Sequence, residues 1–251
     1  MESAISVNNL TVTYSRKPVV WGVSFELQAG SSVAIVGPNG AGKSSLLKAV
    51  MGLLPAASGD VKFFGQSLDS KRSILAYVPQ REEVDWDFPI SVYDVVMMGR
   101  TAALPFYKRP SATDHQAVES ALTEMGLKEL ATRQIRELSG GQQQRVFLAR
   151  ALAQEALIYL LDEPFAGVDV ATEKALVELF EKLTAQGKTI ICVHHDLSTV
   201  KSYFDYLILI NLRLVASGPV ETTFTLENLQ LAYGGRVGLF AEVAETIDKR
   251  V

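Results

Sequence analysis

The run GPNGAGKS, Gly37 to Ser44, sets three glycines, a lysine and a serine at the spacing G-x-x-x-x-G-K-S. Gly37, Gly40 and Gly42, with Pro38, Asn39 and Ala41 between them, leave backbone N–H groups bare enough to wrap phosphate oxygens. Lys43 would reach the β and γ oxygens of a nucleotide, and Ser44 would offer its hydroxyl to Mg2+; Ser45 completes the ATP-binding run. The motif requires a strand before it and a helix after it. SSVAIVG and SSLLKAVMGLL read as that pair, the helix stopping by Pro55.

A second group of candidates is acidic. LIYLLDE places Asp162 at the end of a buried apolar strand, where an aspartate can hold the Mg2+ shell of a nucleotide. Glu163 follows directly and is suited to orient and polarise an attacking water. VHHD offers two histidines, but successive strand residues point to opposite faces, so His194 and His195 do not chelate one ion easily. One reads as a core histidine and the other as a site histidine; His115, in a polar helix start, reads as surface.

LSGGQQQR, residues 138 to 145, puts Gly140 and Gly141 where a helix should begin. Glycine costs about 1 kcal/mol relative to alanine inside a helix. Ser139 and Gln142 fit a capping box, which explains the serine and the glutamine but not the glycine pair. Bare N–H groups at a helix start can receive an anion, so the segment suggests a second phosphate cap.

The elements that must position these residues follow from periodicity. The alternation in ISVNNLTVTY and GVSFEL predicts antiparallel strands at the N-terminus. Residues from about 84 to 150 read as a helical insertion into an α/β core, one helix having Thr113 or Asp114 as N-cap. ALIYLLDE and KTIICVHHD read as buried strands with an amphipathic helix between them. YLILINLRLVASG reads as two strands turning at Asn211, and the tail from Pro219 as short helices. The whole chain, 1–251, reads as a single domain.

Composition bounds the reading. Among 251 residues, 48% are hydrophobic, enough for a core, and 24 basic against 28 acidic side chains give a net charge of −4. That balance speaks against nucleic-acid binding by bulk charge. The single cysteine, Cys192, lies in an apolar run and reads as core. No secretion signal stands at the start, and no apolar run approaches the roughly 20 residues of a membrane span, so the expectation is a soluble or peripheral protein.

Phosphate loop, LSGGQ and LLDE occur in this order in one chain. Together they resemble the nucleotide-binding subunit of an ATP-binding cassette (ABC) transporter, over nearly all of the sequence, and LSGGQ is the specific family signature. The resemblance implies an α/β fold: a P-loop NTPase core of mixed sheet with flanking helices, an N-terminal antiparallel β subdomain and an inserted helical subdomain. It implies an ATPase using ATP and Mg2+, with Mg2+ held through Ser44, Gln80 and Asp162. Tyr14 resembles the aromatic that stacks on adenine. Gln80 in YVPQ is similar to the glutamine that senses Mg2+ and γ-phosphate, and His195 to the switch histidine on that phosphate, so Glu163, His195 and Gln80 form the implied catalytic set. Asp169 in AGVD looks like the aspartate of the dimer-contacting loop; the family more commonly has S-A-L-D, and Gly167 departs from it. Leu138, Ser139, Gly140, Gly141 and Gln142 would cap the ATP of a second copy in a head-to-tail dimer, which accounts for the second phosphate cap.

VDWDFPISVYDVVMMGR, Val84 to Arg100, is similar to sequences in importers of manganese, zinc or iron, as is FAGVDVATEKAL. Trp86, Phe88 and Met98 would line a groove for the membrane subunit or else belong to the helical core. The implied partners are a second copy, membrane-spanning permease subunits and, indirectly, an external metal-binding protein, with no nucleic acid. The implied place is the cytoplasmic face of the cell membrane. Importer subunit for a metal ion, most readily manganese, importer subunit for another substrate such as a metal chelate, and soluble non-transport ABC ATPase stand as alternatives.

Overall fold

The computed structural model describes residues 3–14, 17–68, 72–101, 104–105 and 108–234. The chain divides into two compact units, one made of residues 1–72 and 179–251, the other of residues 73–178. In chain order the second is inserted into the first.

In the first unit β1 (Ser3–Tyr14) and β2 (Lys17–Gln28) pair antiparallel, with Val7 opposite Phe25 and Leu10 opposite Val23. Ile5 and Val7, then Leu10 and Val12, are buried; the alternation changes phase between Val7 and Leu10, where the register shifts and Asn9 has a φ of 49°. Strand β3 (Ser32–Val36) is buried at all five positions, the mark of a strand covered on both faces. The phosphate loop follows, then helix α1 (Lys43–Val50), which ends ahead of Pro55 with Gly52 at a φ of 70°. Strands β4 (Ser58–Phe63) and β5 (Gln66–Ser67) complete an antiparallel sheet of order β2-β1-β4-β5.

The second unit opens with β6 (Leu75–Val78), which runs parallel to β7 (Ile158–Asp162). Between them lie α2 (Val92–Thr101), α3 (Ala112–Glu124) and α4 (Gly140–Ala153), around a core that includes Val92, Val96, Val118, Leu122, Val146 and Ala149. Helices α2 and α4 cross closely: a Cβ on Gly99 would lie 2.2 Å from the Arg150 carbonyl oxygen. The N-cap of α3 is Ser111, not Thr113 or Asp114. The Ser111 hydroxyl accepts from the Asp114 N–H at 3.4 Å, and the Asp114 carboxylate accepts from the Ser111 N–H at 2.8 Å. Asp114 is thus the third-residue partner of a capping box, which places the cap three positions earlier.

Helix α5 (Val170–Ala185) leads the chain back into the first unit, with Leu176, Leu179, Phe180 and Leu183 buried along one stripe. Strand β8 (Thr189–Val193), wholly buried and including Cys192, pairs parallel with β3; beyond α6 (Val200–Tyr203), β9 (Tyr206–Asn211) pairs parallel with β3 on its other side. Strand β10 (Arg213–Pro219) turns back antiparallel on β9. Short helices α7 (Val220–Thr223) and α8 (Leu226–Tyr233) follow, as expected of the tail; its remainder, 235–251, lies outside the described residues. The chain therefore has the α/β fold expected, with an N-terminal antiparallel sheet and an inserted helical segment. Among the described residues no helix is long and apolar enough to cross a membrane.

Candidate nucleotide site and signature helix

The phosphate loop is shaped by contacts with its own unit. A Cβ on Gly37 would lie 2.0 Å from the Ile210 carbonyl oxygen, and one on Gly42 would lie 2.1 Å from that of Val19. Neither position can carry a side chain unless backbone moves. Gly42 also sits at a φ of 93°, and Gly40 at 80° with open space beside it. The loop is tied to its surroundings: Leu212 N–H donates to the Ala41 carbonyl at 2.9 Å, and Trp21 N–H to the Leu212 carbonyl at 2.7 Å.

Helix α1 begins at Gly42 with no side-chain cap and no acid in its first turn. Its N–H groups and dipole therefore face the loop without a built-in anion, the condition for receiving phosphate. Lys43 is 6% exposed, and its ammonium donates to the carbonyls of Gly37 at 2.8 Å and Pro38 at 3.0 Å. The lysine is thereby held in the mouth of the loop.

Gly37, Pro38 and Asn39 share a cleft of about 600 Å3 with His195, Asn211, Tyr233 and Gly234. The histidine pair divides into one buried and one exposed side chain, although both lie just beyond the end of β8 at Val193. His195 is exposed and lines the cleft. His194 is buried, hydrogen-bonds Thr199 through Nε2 at 2.7 Å and packs on Phe204 at 5.2 Å. Burial pushes the His194 imidazole down to about 4, so it stays neutral at physiological pH. Tyr14 stands at the end of β1, 50% exposed. Asn211 and Tyr233 carry no motif; the sequence marks Asn211 only as a turn. Asn211 ends β9 and Tyr233 ends α8, and the two elements are held together by Asn211 Nδ2 donating to the Ala232 carbonyl at 2.9 Å.

In the second unit Asp162 ends β7 and is fully buried. Its charge, after burial itself, helps to push the Tyr77 hydroxyl upward. Glu163 is half-buried at a φ of 55°, a left-handed conformation that costs a non-glycine residue about 1 kcal/mol or more. Such strain gathers at functional positions and points the side chain away from the strand's own alternation. Gln80 is half-buried just beyond β6.

Ser139 caps α4 as expected, with Gln142 N–H donating to its hydroxyl at 3.3 Å and its own N–H donating to Gln142 Oε1 at 2.9 Å. Neither Gly140 nor Gly141 has a positive φ. A Cβ on Gly140 would lie 3.0 Å from the Arg81 guanidinium carbon, and one on Gly141 would lie 4.0 Å from an Asp169 carboxylate oxygen. The second unit therefore gathers the segment after Gln80, the signature and the Asp169 loop. Asp169 caps α5: Thr172 N–H donates to its carboxylate at 2.8 Å, which holds the carboxyl below its ordinary value. Gly167 sits at a φ of 67°, so the departure from alanine there suits a left-handed turn.

Of the three apolar candidates after Gln80, Trp86 is half-buried and packs edge-on against Phe147 at 5.2 Å, while Phe88 and Met98 are about half exposed.

A glycine-walled phosphate loop opening an uncapped helix beside a parallel sheet defines a nucleotide-binding α/β protein of the P-loop class. The family model described as "ABC transporter" matches residues 20–166. The chain is 52% identical to the manganese transport system ATP-binding protein MntB of Bacillus subtilis, over 93% of each chain. It is 53% identical to the zinc transport system ATP-binding protein TroB of Treponema pallidum, over 93% of this chain and 88% of that one. Among solved structures it superposes on a chain of an inward-facing ABC transporter of the metal-chelate type, with a TM-score of 0.81, 31% identity and coverage of 92% and 89%. The chain belongs to the ABC transporter family, as an ATP-binding ATPase component.

Proposed function

We propose that this chain is the ATP-hydrolysing subunit of a membrane importer for a transition-metal ion, manganese first and zinc or iron next. The observation that carries the reading is the identity of about half, across nearly the whole of both chains, to ATP-binding proteins of manganese and zinc transport systems. The subunit would sit peripherally on the cytoplasmic face of the membrane against permease subunits, with an external binding protein supplying the metal. Phe88 and Met98, exposed where Trp86 is packed away, are the apolar side chains on offer to the permease.

In the site, the Gly37–Ser45 backbone and α1 hold the phosphates of ATP, Lys43 neutralises the β and γ oxygens, and Tyr14 stacks on the adenine. Ser44, Gln80 and Asp162 would each offer an oxygen donor, the chemistry that suits Mg2+, and the buried Asp162 carboxylate would supply the anion. Mg2+ held there would neutralise charge on the phosphate oxygens. Glu163 accepts a proton from the attacking water, and His195 holds the γ-phosphate from the cleft side. Leu138 to Gln142 cap the ATP of a second copy, with Asp169 at the dimer contact.

The test is uptake. Cells lacking their own manganese importer, supplied with this subunit and its co-purifying membrane partner, should accumulate radioactive manganese. The Lys43→Ala chain should support none while still co-purifying with the partner. No membrane partner, or uptake that survives Lys43→Ala, would refute the reading.

A further inference from the structure

One stripe of α4 carries Gly140, Gln143, Phe147 and Arg150 and runs on to the C-cap Gln154, spaced three or four residues apart along a single helical face. Every one of them meets the segment from Leu75 to Trp86. Gln154 Nε2 donates to the Leu75 carbonyl at 2.5 Å, and Arg150 donates to the Tyr77 carbonyl at 2.9 Å. Phe147 takes the edge of Trp86. Arg81 Nη2 donates to Gln143 Oε1 at 3.2 Å, and its guanidinium lies across Gly140, within 3.0 Å of where a Cβ would stand. Trp86 Nε1 closes the turn by donating to the Arg81 carbonyl at 2.8 Å.

We infer that Arg81 is a positioning residue for the signature: it clamps the first turn of α4 to the segment that carries Gln80, so the two move as one body. The clamp continues inward, because Gln143 is buried and its Nε2 donates to the Ile135 carbonyl at 3.1 Å, three residues before Leu138. Gly140 is the residue that leaves room for it. A larger residue would press on the guanidinium and push it off the helix start. Gly140 thereby serves a contact inside its own chain, while among the described residues Gly141 has only the Asp169 carboxylate near it. The inference rests on the proposal that this signature caps the ATP of a second copy, and it adds which residue sets the direction of the cap.

The experiment uses the full chain carrying Glu163→Gln, in which ATP and Mg2+ should hold a dimer. Adding Arg81→Ala should raise the ATP concentration for half-dimerisation at least fivefold. Binding of a fluorescent ATP analogue to the dilute monomer should stay within twofold, since the phosphate loop belongs to the other unit. Gln143→Ala should act in the same way, and the double variant should be no worse than the stronger single one, because both remove one contact. Arg81→Lys should also raise the midpoint, since an ammonium cannot both reach Gln143 and lie flat on Gly140. In a chain also carrying Trp21→Phe, Trp86 is the remaining tryptophan, and Arg81→Ala should shift its emission to the red in the monomer. A dimerisation midpoint within twofold of the parent, or effects of Arg81→Ala and Gln143→Ala that multiply, would overturn the inference. Failure of the Glu163→Gln parent to dimerise at any ATP concentration would overturn the shared-site proposal beneath it, and the clamp with it.

Discussion

Both phosphate-binding candidates in this chain are rich in glycine, but for different reasons. At Gly37 and Gly42 a Cβ would run into backbone carbonyls at 2.0 and 2.1 Å, so the fold itself forbids a side chain. At Gly140 the nearest obstacle is the end of a flexible arginine, and at Gly141 a carboxylate oxygen at 4.0 Å. No positive φ demands glycine at either of these two positions. The first loop is thus shaped by the backbone of its own unit, whereas Gly140 makes room for a side chain and Gly141 meets nothing nearer than a carboxylate oxygen among the described residues. Glycine content alone does not tell a loop held by backbone from a helix start that only makes room for a side chain; what a Cβ would strike does.

Gly37→Ala should break the first site outright. The clash with the Ile210 carbonyl costs about 3 kcal/mol or more. Thermal unfolding should show a large drop in midpoint, and ATP binding should be lost with it. If the variant binds ATP normally, the steric contrast between the two loops is wrong.

Glu163→Gln keeps the shape of the side chain and removes its basicity. Hydrolysis should fall by about 100-fold or more, while ATP binding is retained. A phosphate-release assay beside equilibrium binding of ATP makes the comparison. Unchanged turnover would remove Glu163 from the proton-accepting role.

A mixed dimer sharpens the distinction between a finished site and a shared one. One chain carries Ser139→Arg and the other Lys43→Ala. If the signature caps the partner's ATP, both lesions fall on a single site and the other is intact. Residual hydrolysis should then exceed that of a dimer in which one chain carries both changes and its partner neither. The reverse order would mean that LSGGQ acts within its own chain.

Gly141→Ala should give the smallest change, and in stability an opposite one. Alanine is the better helix former by up to about 1 kcal/mol, and among the described residues nothing lies nearer than 4.0 Å to where its methyl group would stand. The thermal midpoint of the isolated subunit should rise slightly while ATPase activity of the assembled complex falls. A lower midpoint would show that Gly141 is required by the fold, like Gly37.

Much of this could be read from residues close together in sequence. The Ser139–Gln142 capping box is a contact across three residues, and the alternation of β1 and the unbroken burial of β3, β7 and β8 follow from apolar spacing. The division of His194 and His195 into one buried and one exposed side chain was expected from strand alternation, but β8 ends at Val193 and both histidines lie just beyond it. Local reading failed at α3 because Asp114 has the chemistry of both a cap and a cap's partner, and only its hydrogen bonds to Ser111 tell which. It was undecided at Trp86, since an aromatic six residues beyond Gln80 packs or projects according to what lies opposite it.

By itself the sequence determined the phosphate loop, the acidic strand end, the signature cap and the order of elements, because each depends on interactions among neighbours a few residues apart. The tertiary structure decided what stands against them. It brought the Ile210 carbonyl onto Gly37, walled the cleft with Asn211 and Tyr233, and set Arg81 on Gln143, 62 positions away. These contacts leave no periodic or compositional trace, since they depend on where β9, α8 and α4 are carried by the folding of everything between.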